Sequence, residues 1–335
     1  MSSIFEKFKN RLKSKSRKIE KKVETDIENE IEISPDKQPI KRILFIVFSS
    51  IIALFILAGL VFGIMIYGFK TENKITKTAS RIIPFPAAFT SSGIITMADF
   101  YHEKDYINHF YLATKQETSV DQKELNKQIM NQLVENKIVN NEAIKMKYKV
   151  SDKEINDAMS KIYESNGGQE KVGKTLSELY NLSLKQFKEL VATQLIRDKI
   201  SNEAIEKVTV RHILIRVDEN AAEDKINEAK VKVEQISNEI KGGLSFEDAA
   251  KKYSEDVGSN EQGGLLDPFG RDEMVKPFED AAFSAPINEV TKPVRTSFGF
   301  HIIKVEKRTG FIDKSFDKWL SDLKSKSIIL NFYKF

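Results

Sequence analysis

The sequence predicts an α+β protein that is anchored to a membrane by a single transmembrane helix. Three observations predict it: an uncharged apolar run at residues 43–69, a long stretch of helical apolar spacing at 81–207, and short strand patterns among helix signals at 208–308. At 335 residues the chain is long enough for about two domains outside the membrane. The chain has no cysteine, which excludes disulfides and thiolate chemistry, and its formal net charge of +4 is modest.

Residues 1–42 form a charged arm that is basic first and acidic later. Four apolar residues share one helical face of the basic half, residues 1–22: Ile4, Phe5, Phe8 and Leu12. Two interpretations are open, an amphipathic helix on anionic lipid and a solvated basic tail. Nucleic acid is not expected as a partner, because the segment is short and adjoins a membrane span.

Residues 43–69 contain no charged side chain. At 1.5 Å per residue the run is long enough to cross a hydrocarbon core about 30 Å thick, and it is longer than the apolar region of a secretory signal peptide. Lys41, Arg42 and the basic arm precede it, which predicts a single-pass cell-membrane protein with a cytoplasmic N terminus and extracytoplasmic C-terminal domains. Gly59 and Gly63 have the spacing that lets two spans pack, so a homodimer is one alternative; no dimer is favoured, because glycine is common in such helices.

The region 81–207 begins with prolines and continues as helices. Arg81–Pro86 is not expected to be helical, because prolines two residues apart force extended backbone. Residues 87–96 predict a pair of strands joined by a turn at Ser91-Ser92-Gly93. Capping-box patterns predict helix starts at Ser151 and Ser183. An apolar stripe follows the second start: Phe187, Leu190, Val191 and Leu195.

Residues 208–308 carry the patterns on which the functional prediction depends. Apolar residues alternate through 208–215 and predict a strand that contains His212. Helical spacing follows at 226–240, before a Gly-Gly cap. Four motifs then come in order: Tyr253-Ser254-Glu255-Asp256, Gly263-Gly264-Leu265-Leu266, Met274-Val275-Lys276-Pro277-Phe278, and Thr296-Ser297-Phe298-Gly299-Phe300-His301-Ile302-Ile303.

This ordered set resembles the parvulin (PpiC-type) family of peptidyl-prolyl cis-trans isomerases. The resemblance implies a small antiparallel sheet surrounded by about four helices, and rotation about X-Pro amides without a covalent intermediate or a cofactor. It implies two groups of site residues. The catalytic group is His212, Asp256, Thr296 and His301; the substrate-binding group is Leu266, Met274, Phe278 and Phe298.

Plainer roles are open for the same residues. The apolar residues suit ordinary core packing, a buried histidine is usually structural, and Asp256 suits a loop cap near Gly258. A metal site is not expected, because the pattern shows no third ligand beside the two histidines. Leu265 stands where many parvulins have an acidic residue, and Asp267-Pro268 replaces the usual glycine and aromatic residue. These departures predict a reshaped pocket rim or weaker turnover.

The region 81–207 is similar to the N-terminal helical domain of SurA- and PrsA-type foldases, through Tyr148–Ile155, Leu182–Phe187 and Gln194–Lys199. The resemblance implies that residues 312–335 complete this domain and that the isomerase module, 208–308, is inserted into it. The tail would supply a helix and a closing strand at 328–330; the helix carries Phe316, Trp319, Leu320 and Leu323. The alternative is a tail that packs on the isomerase module itself.

The function predicted from the sequence is a membrane-anchored peptidyl-prolyl isomerase and foldase. Its expected partners are unfolded or partly folded exported polypeptides with X-Pro bonds, together with membrane lipid. The alternative is a holdase chaperone, in which an inactive parvulin module and the helical domain grip unfolded segments without catalysis.

Overall fold

The structure is a computed structural model that describes the backbone of residues 38–116 and 121–334 and side chains from Ile43 onward. The predicted basic and acidic arm lies outside the described residues. The chain divides into two compact units, Met1–Thr76 and Lys77–Phe335.

The first unit is dominated by one apolar helix. Helix α1 spans Gln38–Gly63 and ends in a π-helical turn, Ile64–Gly68. Among the described residues, Ile43–Gly68 is the one helical stretch with the length and composition to cross a membrane, with a mean hydropathy of 2.9 over its most apolar window. This stretch matches the predicted span.

Helix α2, Lys74–Ile82, begins in the first unit and continues into the second. Its first turn is capped by the Asn73 side chain, which accepts hydrogen bonds from the backbone N–H of Ile75 and Thr76 at 3.0 and 2.9 Å. The prediction that Arg81–Pro86 is non-helical was wrong for its first two residues. Pro84 restricts the backbone of the residue directly before it, so the helix is free to continue up to Ile82.

The helical region of the second unit contains α3 (Met97–Ala113), α4 (Gln122–Lys145), α5 (Asp152–Ser165), α6 (Gln169–Tyr180) and α7 (Leu184–Lys199), the last followed by a π-helical turn at Ile200–Ala204. The predicted capping boxes at Ser151 and Ser183 are confirmed. The apolar stripe of α7 differs from a core stripe, because no residue of α7 is fully buried.

A small antiparallel sheet joins the two ends of this region. Strands β1 (Pro86–Thr90) and β2 (Gly93–Thr96) form the predicted hairpin. The last strand of the chain, β6 (Ile329–Asn331), pairs with the other edge of β1, which gives the strand order β2-β1-β6. The helix before it, α11 (Phe316–Lys326), packs on α4 and buries Trp319 and Leu320. The closing segment therefore contacts the helical region.

The remaining elements form a second module around a three-stranded antiparallel sheet of order β3-β5-β4. They are β3 (Lys207–Arg216), α8 (Glu223–Lys241), α9 (Phe246–Tyr253), a 3-10 helix (Asn260–Gln262), α10 (Lys276–Ser284), β4 (Val294–Thr296) and β5 (Gly299–Thr309). This is the small sheet with about four helices that the sequence predicts.

Each face of this sheet has its own core, because side chains alternate along a strand. Ile213, Ile215 and Ile302 face α8 and α9. Val210 and Ile303 face the other way, toward α10, and belong to the cluster that contains Phe278. The candidate site extends this second core.

The chain enters and leaves the module at adjacent points. Ile205 and Ile312 form a parallel bridge, and the Glu206 N–H donates to the Ile312 carbonyl at 2.9 Å. Arg308 pairs with the Glu206 carboxylate at 3.3 Å across the same crossing.

Candidate active site

Strand register brings the two histidines together. His212 on β3 is opposite Ile303, and His301 on β5 is opposite Leu214. The two histidines are therefore diagonal neighbours on one face of the sheet. Both are buried on the face that packs against α10.

The polar side chains form a continuous chain of hydrogen bonds. Thr296 Oγ1 lies 2.9 Å from His301 Nε2, and His301 Nδ1 lies 3.3 Å from His212 Nδ1. On the other side, His212 Nε2 lies 2.9 Å from Asp256 Oδ2. The structure thus brings together all four residues of the predicted catalytic group.

Electrostatics set the charge of each member. Burial, and after it the neighbouring His212, lower the pKa of His301 to about 4. Burial also lowers the pKa of His212, although Asp256 acts in the opposite direction. Burial raises the pKa of Asp256, but the hydrogen bonds from Ser259 and His212 outweigh burial, and its pKa lies below the usual value. Near neutral pH the imidazoles are neutral and the carboxylate is ionised.

These charges fix the direction of the hydrogen bonds. An ionised carboxylate only accepts, so the proton of neutral His212 is on Nε2. His212 Nδ1 must then accept from His301 Nδ1–H, and His301 Nε2 must accept from the Thr296 hydroxyl. Thr296 Oγ1 in turn accepts from the Phe298 N–H at 3.1 Å. Each imidazole therefore has one defined tautomer, assigned from hydrogen-bond pairing.

Ser259 belongs to this network and was not predicted from the sequence. Its hydroxyl donates to Asp256 Oδ2 at 2.5 Å and lies 3.2 Å from His212 Nε2. The residue is buried just before the 3-10 helix. A serine three residues after an aspartate is also common in turns, so no separate signal in the sequence pointed to it.

Asp256 also caps its own loop, which is the plainer role that the sequence left open for it. Its Oδ1 accepts from the Gly258 N–H at 3.4 Å, while Oδ2 accepts from Ser259 and His212. The two oxygens thus serve the loop and the network separately.

The apolar residues of the predicted pocket differ in exposure. Phe278 on α10 is 3% exposed and meets both imidazoles edge-on, at centroid distances of 5.6 and 5.1 Å to His212 and His301. Leu266 is half-buried and packs on the same cluster. Met274 and Phe298 are more open, at 36% and 55% exposure. The buried members form a floor, and the two exposed side chains are free to contact a ligand.

The Gly263-Gly264 turn lies directly against the first histidine. The His212 N–H donates to the Gly264 carbonyl at 2.8 Å, and Gly264 has a positive φ of 77°. A Cβ atom on Gly264 would lie 2.2 Å from the His212 carbonyl oxygen. Only glycine allows this approach of the turn to the strand.

The unusual residues Leu265 and Asp267-Pro268 lie on either side of Leu266 in the sequence. Leu265 is half-buried and bridges Arg211 of β3, whereas Asp267 and Pro268 are exposed. No cluster of three metal-ligating side chains occurs in the part of the chain that the structure describes.

Comparison with known proteins places this sequence in a family. The model of the PPIC-type PPIase domain family matches residues 193–309. A foldase protein PrsA from Geobacillus kaustophilus is 33% identical over 235 residues, which cover 66% of this chain and 72% of that protein. The foldase protein PrsA 3 from Bacillus cereus is 34% identical over 227 residues, covering 65% and 77% of the two chains.

A crystal structure of the peptidylprolyl isomerase PrsA from Bacillus anthracis is also similar in sequence, with 25% identity over 59% of this chain and 86% of that chain. Its TM-score is 0.29, so the assignment rests on the sequence matches. The described residues include one helix that is apolar and long enough to cross a membrane. By the sequence matches, the chain belongs to the PrsA family of foldases and carries a PPIC-type isomerase domain.

Proposed function

We propose that the chain catalyses cis-trans isomerisation of X-Pro bonds in exported polypeptides. The observation that carries the proposal is the hydrogen-bonded chain from Thr296 through His301 and His212 to Asp256, packed against Phe278. An apolar floor beside a few polar groups of fixed orientation is what amide rotation needs, because no covalent bond has to be made or broken.

Rotation about an X-Pro amide is slow because resonance gives a barrier of about 20 kcal/mol. A site lowers the barrier by binding the twisted amide more tightly than the planar one. The twisted carbonyl is less polar, so it loses less when an apolar surface replaces water. In this proposal Leu266, Phe278, Met274 and Phe298 hold the proline ring and supply that surface.

Asp256 acts through its charge. Its lowered pKa favours the carboxylate over the protonated acid near neutral pH, so it is not a hydrogen-bond donor to the substrate. A negative charge beside the substrate carbonyl destabilises the planar amide, whose oxygen carries more negative charge than that of the twisted amide. His212, His301, Thr296 and Ser259 hold the carboxylate and the pocket floor in position.

The proposed location is the outer face of a membrane, with one span and a cytoplasmic N terminus. Lys41 and Arg42, directly before the uncharged run at 43–69, support this orientation. The clients in this setting are unfolded exported chains that contain X-Pro bonds.

A holdase activity is the second candidate, and one observation favours it. The stripe of α7 borders a groove of about 750 Å³. Phe187, Leu190 and Arg197 of α7 line one side. Polar residues of α4 line the other, among them Gln128, Asn131 and Glu135. An open groove of mixed polarity suits unfolded chain segments of many sequences.

The test is NMR-exchange measurement of isomerisation of an unphosphorylated X-Pro peptide by the full chain in detergent or nanodiscs. Met274→Ala should lower kcat/KM about tenfold, which corresponds to about 1.4 kcal/mol of lost transition-state binding. The matched control is Ile287→Ala, an exposed apolar residue of the same module, which should stay within about twofold of wild type.

The double variant Met274→Ala/Phe278→Ala should be inactive, and circular dichroism shows whether it is folded. Folded wild type that accelerates nothing, but prevents aggregation of an unfolded client, would refute catalysis and leave the holdase. Leu265 and Asp267-Pro268 would then be the first residues to revert toward the family pattern.

A further inference from the structure

The small sheet β2-β1-β6 exposes a row of large apolar side chains. Phe89 in β1 is opposite Ile94 in β2 and Leu330 in β6. Residues directly opposite in a sheet share a face, so these three side chains stand in one row. They are 45%, 45% and 55% exposed.

Two more exposed apolar residues border β6 at its ends. Ile328 directly precedes the strand and Phe332 directly follows it, each two positions from Leu330. They are 68% and 49% exposed. We call this set of five residues the apolar sheet face: Phe89, Ile94, Ile328, Leu330 and Phe332. The opposite side of the sheet is buried, as Ala88 and Ile95 show.

Charge is absent from the sheet face and present at its border. No charged residue occurs from Pro86 to Thr96, or from Ser327 to Tyr333. The exposed lysines Lys326 and Lys334 flank the second segment. An uncharged aromatic and aliphatic surface with lysines at its margin is the composition that binds at the interface of an anionic bilayer.

Covalent connection to the apolar helix limits how far this face can be from lipid. About twenty residues separate Gly68 from Phe89, and nine of them form α2. With about 1.5 Å per helical residue and about 3.4 Å per extended residue, the connection reaches about 55 Å at most. A tether of this length keeps the face at a high effective concentration of lipid.

We propose that the apolar sheet face docks into the interfacial region of the bilayer that the chain's own helix crosses. Phe89, Ile94 and Leu330 enter the acyl boundary, and Lys326 and Lys334 contact anionic headgroups. The docking rests on the proposed membrane anchoring. The docked face is a second, reversible lipid contact in addition to the membrane-crossing helix, and it orients the foldase on the membrane.

The experiment uses the absence of cysteine from the chain, which lets one introduced thiol carry a fluorophore. Full chains with Ile94→Cys or Leu330→Cys are labelled with a small fluorophore and placed in anionic nanodiscs, with or without brominated acyl chains. Brominated lipid should lower the fluorescence at both positions at least about twofold. The control is Glu234→Cys on the exposed side of α8, which should show no quenching.

A charge on the face should undo the docking. Phe89→Asp in the Leu330→Cys chain should return the fluorescence to the level of the Glu234 probe. The matched variant Leu112→Asp, at another exposed apolar residue on α3, should leave the quenching unchanged.

Several outcomes would overturn the proposal. Equal quenching at Glu234 would mean that the label itself seeks lipid. Unquenched probes, together with disulfide formation between unlabelled Ile94→Cys chains, would assign the face to a second copy. Shielding only after adding an unfolded client would assign it to clients. A chain that leaves the disc would refute the anchoring and the docking together, whereas a retained chain with unquenched probes would refute the docking alone.

Discussion

His301 is held neutral at a position where a positive charge has little access to water. Its folded pKa of about 4 lies below 6.5, the ordinary pKa of histidine that applies to the unfolded chain. Between these two pH values the unfolded state binds more protons than the folded state. Stability from this residue is therefore complete above pH 6.5 and is lost as the pH falls toward about 4.

His301→Gln should reduce this pH dependence. The difference in unfolding free energy between pH 7 and pH 4 should be smaller in the variant than in wild type by about 3 kcal/mol, the equivalent of the pKa shift. Urea unfolding in detergent at a series of pH values measures it. Identical pH dependence in the two proteins would show that His301 titrates normally in the folded chain.

Four residues of the hydrogen-bonded network could be predicted from the sequence, and Ser259 could not. His212, Asp256, Thr296 and His301 were found because each lies in a motif of a recognised order, and the structure brings them into contact. Ser259 was not found, because its role depends on the loop after Asp256 folding back toward His212. The lowered pKa values also required the structure, since they depend on burial.

At the scale of elements, the turn that contains Gly264 controls the position of β3. The turn accepts a hydrogen bond from the His212 N–H, and Arg211 donates to the carbonyls of Gln262 and Gly263 at 2.6 and 3.0 Å. The strand and the turn are therefore fixed to each other next to the first histidine.

Gly264→Ala should disrupt this arrangement. The new methyl group meets the His212 carbonyl and the residue must keep a positive φ, so the loss of unfolding free energy should be about 3 kcal/mol or more. Chemical denaturation and peptide isomerisation measure the two effects. The control is Gly242→Ala, where φ is negative and the nearest backbone atoms lie at 3.4 Å. Wild-type stability in the Gly264 variant would contradict the close approach.

Elements with local signals were predicted well. The capping boxes at Ser151 and Ser183 need only residues three apart, and both form. The non-helical segment was predicted to begin two residues too early, at Arg81, whereas α2 continues to Ile82. The reason is that Pro84 restricts only the residue directly before it. The half-buried state of α7 was not predictable, since a stripe pattern does not say what covers it.

At the scale of the whole molecule, the C-terminal segment stabilises a region that begins more than two hundred residues earlier. Strand β6 pairs with β1, and Lys324 of α11 donates to Glu135 of α4 at 3.0 Å. Trp319 is the only tryptophan of the chain and is buried in α11. Its fluorescence therefore reports on the helical region, while peptide isomerisation reports on the other module.

Leu320→Ala should destabilise the helical region selectively. Removing this buried side chain should cost about 2–4 kcal/mol, measured as a shift of the Trp319 fluorescence transition in urea. Leu323→Ala, at a half-buried position of the same helix, should cost less. Isomerisation of a short peptide should stay within about twofold of wild type below the transition. Loss of activity in step with the fluorescence change would show instead that both parts unfold as one.

The bridge between Ile205 and Ile312 bears on how genes for such proteins can gain or lose the module. Because the chain enters and leaves the isomerase module a hydrogen bond apart, deletion of the intervening codons would leave two ends that a short loop can rejoin. The reverse event, insertion of a foreign segment, would disturb the helical core equally little. We therefore expect that a lineage can lose, duplicate or replace the module while the helical region keeps its own packing.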